Sequence, residues 1–195
     1  MSRRIAIIQG HPDPQGGHFG HALARSYADG AREGGHDTRT IDVAAIDFPL
    51  LRTKEEWENG VFPETIRRAQ DTIRWAEHLV IVYPLWLGSM PALLKAFLEQ
   101  VMRPGFATSR VESGKTWKKL LTGRSARVVV TMGMPALVYR WYFGAHSLKS
   151  LERNILKFVG IGPVAETLIG LVETVGGEAR RTWLDRLRAL GPAGK

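Results

Sequence analysis

The sequence predicts a doubly wound α/β domain, a five-stranded parallel sheet in the order 2-1-3-4-5 with helices on both faces. Short runs rich in β-branched residues alternate along the chain with stretches of helical periodicity, the pattern of strands linked by crossover helices. Three of the runs, IAII (5–8), LVIVY (79–83) and RVVV (127–130), are nearly unbroken apolar segments, as expected of strands covered on both faces. Five such runs within 195 residues suit one domain of this strand order better than a six-stranded dinucleotide fold.

The first strand, 5–8, runs into GHPDPQGGHFGHALARSY (10–27), a connection longer than an ordinary strand-to-helix turn, rigid at its prolines and open at its glycines. A helix over 19–33 follows and stops at Gly34-Gly35, a helix-ending signal. The second strand is expected at 38–43. A helix over 63–75 opens on a proline at its first turn. The third strand, 79–83, ends at Pro84, and a helix over 91–101 carries Leu93, Leu94, Phe97, Leu98 and Val101 on one stripe. The stretch 102–125 is too long for a plain connection. The fourth strand is expected at 127–131. A helix over 146–159 repeats apolar residues at 148, 151, 155 and 158 before Gly160. A fifth strand near 164–171 and a last helix over 178–190 complete one domain, 1–195, with no linker or repeat dividing it.

Composition narrows the function. With 44% apolar and 24% charged residues the chain has the make-up of a folded soluble protein. The absence of cysteine excludes disulfides, a cysteine nucleophile and thiolate metal sites. The opening MSRRIAIIQG is too short in its apolar run for a signal peptide, and LVIVYPLWLG is interrupted by Pro84. No membrane span is expected, and the expected location is cytoplasmic. The net charge of +8 is concentrated at 103–127, where Arg103, Arg110, Lys115, Lys118, Lys119, Arg124 and Arg127 face only Glu112. Such a field suits small phosphorylated ligands; without a nucleic-acid motif, nucleic acid is not expected as a partner.

In a sheet of this kind ligands bind beyond the carboxyl ends of the strands. After strand one, the start of a helix offers unpaired N–H groups and a positive dipole end to an anion. Gly16, Gly17 and Gly20 let backbone approach it, and His11 and His18 add donors. A metal on His18 and His21 is disfavoured, since Asp13 alone stands near at ligand spacing. After strand three, YPLWLGSMPALLKAF (83–97) places Trp86 and Leu87 in a loop, suiting a flat aromatic ligand or a subunit interface. After strand four, Thr131 and Gly133 offer a second small turn, followed by Tyr139, Trp141, Tyr142, Phe143 and His146. SGKT (113–116) lacks the first glycine of a phosphate-binding loop, because Ser109 stands there, and no apolar strand precedes it. GIGPVA (160–165) follows a helix and precedes a strand, the reverse of a dinucleotide fingerprint. No GxSxG occurs. Side chains alone therefore offer little chemistry, and a cofactor must carry it.

Taken together, His11, HFGHALA (18–24), YPLWLGSMPALLKAFLEQV (83–101) and TMGMP with the following tyrosine and GAH (131–146) resemble the NAD(P)H:quinone oxidoreductase family of flavodoxin-like flavoproteins, over about residues 3–190. Quinone reductases of the DT-diaphorase and drug-modulator types and the ancillary reductases of potassium-efflux systems belong to it. The resemblance implies a two-electron reductase with NAD(P)H as co-substrate, bound flavin as carrier, and a quinone or similar acceptor reached by ping-pong exchange. It implies that His11, His18, Phe19 and Gly20 hold the flavin phosphate. Pro84, Leu85, Trp86, Leu87 and Gly88 would line the ring system, with Thr131, Met132 and Gly133 on its other side. Tyr139 and His146 would stabilise charge during hydride transfer. Two departures stand out. QGGH (15–18) replaces the serine or threonine that many members carry before the phenylalanine, moving phosphate contacts to backbone and His18. The Tyr139–His146 spacing differs by one residue from that of DT-diaphorase. Without that enzyme's C-terminal extension, FMN is favoured over FAD. A homodimer covering Trp86, Leu87, Tyr142 and Phe143 is expected, with flavin near the interface. The competing reading is a non-catalytic regulatory flavoprotein that senses NAD(P)H and modulates a partner such as an ion-efflux system.

Overall fold

The computed structural model describes residues 2–110 and 116–194. Its centre is β1 (Arg4–Gln9), paired in parallel with β2 (Asp37–Asp42) on one side and β3 (His78–Pro84) on the other. β4 (Ser125–Thr131) and β5 (Val164–Ile169) follow beyond β3, giving the all-parallel order β2-β1-β3-β4-β5. This is the flavodoxin-like arrangement expected from the sequence.

Alternation along the strands divides the core in two. Ile5, Ile7, Val80 and Val82 pack with α1 (Phe19–Glu33) and α8 (Gly177–Leu190). Ala6, Ile8, Leu79 and Ile81 pack with α3 (Glu64–Trp75), α4 (Ala92–Val101) and the chain after β4. Because both faces are covered, β1 and β3 read as unbroken apolar runs. β2 is an edge strand with much of its surface in solvent, and its DTRTID sequence is accordingly polar.

Element ends differ from expectation for local reasons. β2 stops at Asp42 rather than 43, because the Asp42 carboxylate accepts the Ala44 N–H at 3.2 Å and starts a 3₁₀ turn over Val43–Ala45. Pro63 and Pro91 sit one residue before their helices, as caps, rather than inside the first turn. β5 ends at Ile169, and Leu171 beyond it takes a left-handed φ of 58°. Two short helices were not expected: α2 (Lys54–Asn59), opened by a reciprocal Thr53/Glu56 capping box, and α5 (Ala136–Trp141).

The helix expected over 146–159 is one helical run of three kinds. α6 (His146–Ser150) passes into a π-helical segment, Leu151–Leu156, and then α7 (Lys157–Val159). The wider π turn moves the buried stripe by one residue. Leu148, Leu151, Leu156 and Val159 are buried, whereas the expected 155 and 158 are not, and Phe158 is 43% exposed. The exposed Phe158 ring rests against Trp117, 4.3 Å between centroids.

The basic stretch is less free than its sequence suggests. Arg103 is buried and donates to Gly60 O at 2.7 Å and to the Gln100 side chain. Arg124 donates to Ile73 O and Arg74 O, and Arg127 to Thr167 Oγ1. Arg110 donates to Asn59 Oδ1 at 2.9 Å. Lys118 and Lys119 are exposed; Lys115 lies outside the described residues, as do Glu112 and most of SGKT.

α1 and α8 lie against each other unusually closely. A Cβ on Gly30 would fall 2.0 Å from Arg188 O, and one on Gly191 2.3 Å from Ala31 N. Ser26 Oγ donates to Leu184 O at 2.7 Å, and Arg188 pairs with Glu33. Among the described residues no helix is long and apolar enough to cross a membrane.

Candidate functional site

The parallel register brings the carboxyl ends of β1, β3 and β4 side by side. Gly10 N donates to Val82 O at 2.8 Å, Pro84 stands opposite Thr131, and Leu85 N donates to Thr131 O at 2.7 Å. The loops that follow enclose a cavity of about 580 Å³. Among its walls are seven of the residues expected to hold cofactor: His11, His18, Phe19, Gly20, Pro84, Trp86 and Thr131.

The first loop is built around its histidines. His11 N donates to Gln9 Oε1, and Asp13 N in turn donates to His11 Nδ1, both at 3.1 Å. Nδ1 is therefore an acceptor, and the neutral ring carries its proton on Nε2. Burial, with the neighbouring His18 and His21 rings, pushes the His11 pKa down to about 4. His21 is likewise lowered, chiefly by burial. The His18 ring stacks on His11 at 3.9 Å and 16°, and its Nε2 lies 2.6 Å from Asp13 Oδ2. That contact, and the Gln15 N–H on Asp13 Oδ1, hold the Asp13 carboxyl below its usual range. Gly16 and Gly17, at φ of 71° and 81°, make the turn between, which side-chain-bearing residues adopt only with strain.

α1 then opens at Phe19 with no side chain capping its first amides and no acidic residue in its first turn. Its positive end is left for an anion. Gly20 packs loosely there, only Val82 lying within 4 Å of where a Cβ would be.

After β3, Trp86 and Ser89 exchange backbone hydrogen bonds of 2.8 and 2.9 Å around Leu87 and Gly88, both at positive φ. This turn presents Trp86, half exposed, at the cavity mouth, with its ring 6.0 Å from His11. Leu87 projects fully into solvent and Leu85 packs against the core; neither they nor Gly88 line the cavity. After β4, Thr131 lines the cavity, whereas Met132 turns into the core and gives its N–H to Ile169 O. Gly133 lies against Glu173, whose Oε1 is 3.4 Å from where a Cβ would stand.

Tyr139 and His146 are not brought into the cavity. Tyr139 is 1% exposed, its hydroxyl 2.7 Å from Ser147 Oγ and accepting the Leu148 N–H at 3.2 Å. These contacts of its hydroxyl hold the first turn of α6. His146 begins that helix, exposed, after Ala145 in the left-handed conformation.

Five further residues line the cavity: Asp13, Gly17, Val172, Glu173 and Arg180. Arg180 is the most informative. It comes from the start of α8, donates to Val172 O at 3.0 Å and lies over the Phe19 ring at 5.8 Å. In the sequence it belongs to EARRTWLDRLR, which reads as a solvated face. A cation near a helix start opposes the helix dipole, and that misplacement is the signal that marks it.

The donor set fits a phosphate ester bearing a flat ring. Uncapped α1 amides, His18 and Arg180 can meet the phosphate, and Pro84, Trp86 and Thr131 offer walls for the ring. The volume lies within the range of cofactor pockets, roughly 300–1,000 Å³.

Comparison with known proteins agrees with this fold. The Flavodoxin_2 family, of flavodoxin-like fold, matches residues 3–189. An uncharacterized NAD(P)H oxidoreductase of Haemophilus influenzae is 29% identical over 183 residues, covering 92% of this chain and 89% of its own. FMN-dependent NADH:quinone oxidoreductase 3 of Bacillus cereus is 28% identical over 181 residues, covering 81% and 82%. The structure of an NAD(P)H:quinone oxidoreductase from Methanothermobacter marburgensis superimposes with a TM-score of 0.78 at 23% identity, over 98% of this chain and 96% of that one. With its strand order and a family match along almost its whole length, the chain belongs to the Flavodoxin_2 family, of flavodoxin-like fold.

Proposed function

We propose that the protein is a flavin-dependent NAD(P)H oxidoreductase that binds FMN and reduces a quinone or similar acceptor by ping-pong exchange. The observation that carries this reading is the single cavity joining three strand ends, with an anion-binding helix start at one side and Pro84, Trp86 and Thr131 at the other. The Bacillus cereus relative, named as FMN-dependent, supports FMN over FAD. Bound flavin supplies the capacity to accept a hydride and pass it on.

The chain's own residues bind and orient. The α1 amides, His18 and Arg180 would anchor the phosphate, with His11 beside it, and Trp86 would lie against the ring. Pro84 and Thr131 would wall the ring. The amides of Leu87 and Gly88, in the turn after Trp86 and outside the cavity lining, have no hydrogen-bond partner among the described residues. Tyr139 acts as a positioning residue for the first turn of α6, and His146, exposed at that turn outside the cavity lining, would be the group that stabilises charge on the ring. Trp86, Leu87, Tyr142 and Phe143 become the contact surface of a homodimer that closes the cavity mouth.

The test is direct. Purified protein reconstituted with FMN should keep flavin absorption after desalting, and should oxidise NADH or NADPH when a quinone is supplied. Absence of bound flavin after desalting would overturn the reading.

A further inference from the structure

One feature of the phosphate side is paradoxical on charge alone. A site for a phosphate should exclude carboxylates, yet Asp13 lines the cavity beside the uncapped start of α1. Glu173 lies across from it on the loop after β5. At close range in a partly dehydrated cleft, a carboxylate and a phosphate repel by more than they would in open water. Asp13 therefore either weakens anion binding or does something that outweighs its charge.

Its contacts indicate what that is. Oδ1 accepts the Gln15 N–H at 2.9 Å, and Oδ2 lies 2.6 Å from His18 Nε2. Its own N–H goes to His11 Nδ1, and the His11 ring stacks on that of His18. His18 occupies the cap position of α1 without bonding to an α1 amide, so its ring is aimed elsewhere. A long, freely rotating imidazole is a poor anchor, whereas one clamped between a stacked ring and a carboxylate is already oriented. The clamp rests on the loop itself, which is turned by Gly16 and Gly17.

We propose that Asp13 is a positioning residue for cofactor phosphate: by accepting from His18 Nε2–H it fixes that ring at the start of α1 as an imidazolium, with Nδ1–H left to donate to the phosphate where a hydroxyl-bearing side chain would otherwise act. This deepens the proposed function and rests on it. The charged and titratable groups near His18 are Asp13, His11 and His21 from its own loop and helix, with Glu173 after β5 and Arg180 on α8 lining the same cavity; Asp42 at the end of β2 acts on His11 and His21.

The experiment compares FMN with riboflavin, which has the same ring and no phosphate. Flavin-free full-length protein is titrated with each, following quenching of flavin fluorescence. Asp13→Ala should weaken FMN binding about tenfold and leave riboflavin within twofold, while Asp13→Asn, which keeps an oxygen for His18 Nε2–H, should recover most of the loss. In a His18→Ala background the sign should reverse, Asp13→Ala now tightening FMN by removing a repulsive charge. A carboxylate acting only through its charge would make Asp13→Ala tighten FMN in the wild-type background as well, and that result overturns the proposal. Equal loss for FMN and riboflavin also overturns it, since the effect would then be on loop folding. Failure of wild-type protein to bind either flavin would remove the proposed function itself, a separate and recognisable outcome.

Discussion

At the scale of single residues, Tyr139 and His146 show how identity and role separate. Both were legible in the sequence as the polar groups after strand four, but where the fold places each of them was not. The tyrosine has Ser147 and the Leu148 N–H within reach of its hydroxyl, contacts set by the fold of α5 onto α6 that no local pattern announces. Tyr139→Phe leaves that buried amide without its acceptor. It should lower unfolding free energy by about 1–3 kcal/mol in urea titrations, with flavin reduction in stopped flow within twofold of wild type. His146→Ala, at an exposed position, should leave stability unchanged. It should slow flavin reduction on the order of tenfold, equivalent to about 1.4 kcal/mol of transition-state stabilisation. The reverse pattern would return the tyrosine to the reacting centre. Arg180 was hidden for a different reason: the Phe19 ring it lies over comes from the far end of the chain, and Val172 is reached only through the turns before α8.

At the scale of elements, the run from 146 to 159 separates what periodicity reveals from what it does not. A helix was plain from the spacing of apolar residues, but a π segment inserts a residue into a turn without changing composition. The buried stripe consequently steps from 151 to 156, and Leu156 takes the core place that the sequence pattern assigns to its neighbour. Leu156→Ala should therefore cost about 2–5 kcal/mol. Phe158→Ala, on the outer side, should cost less than about 1 kcal/mol by the same urea measurement. Strands β3 and β4 carry a second prediction. His78 at the start of β3 is 2% exposed, with Nδ1 2.8 Å from Ser125 Oγ, and burial, helped by Arg3 and Arg127, lowers its pKa to about 4. The unfolded chain takes up this proton near pH 6.5 and the fold resists it until about pH 4. The fold therefore loses stability as pH falls between those values, and the contribution levels off below. His11 acts in the same direction over the same interval. The loss from His78 is on the order of 3 kcal/mol. His78→Asn, which keeps a polar partner for Ser125, should show a visibly flatter unfolding free energy between pH 7 and pH 4.5. An unchanged slope would show that His78 is not the group titrating.

At the scale of the whole molecule, the fold class and strand order followed from the sequence because a parallel sheet covered on both faces leaves unbroken apolar runs. The assembly does not follow from any such rule, and the exposed residues speak for it instead. Leu87 is fully exposed, and Leu137, Trp141 and Tyr142 are 70%, 80% and 83% exposed on the segments after β3 and β4. Exposed apolar side chains of that kind support the proposed dimer contact. Sedimentation at micromolar concentration should give about twice the 21.7 kDa chain mass. Trp141→Glu should return the protein to a single chain, and a monomeric wild type that still holds flavin would refute the dimer. The close seating of α8 on α1 has a consequence for the birth of the molecule. Arg188 and its partner Glu33 are separated by 155 residues, and at a synthesis rate of about 5–20 residues per second the first helix waits roughly 8–30 s for its cover. During that interval Leu23 and Tyr27 stand next to a strand with half their shelter missing. α8, and with it the phosphate anchor proposed at Arg180, would then be among the last parts of this fold to be set in place.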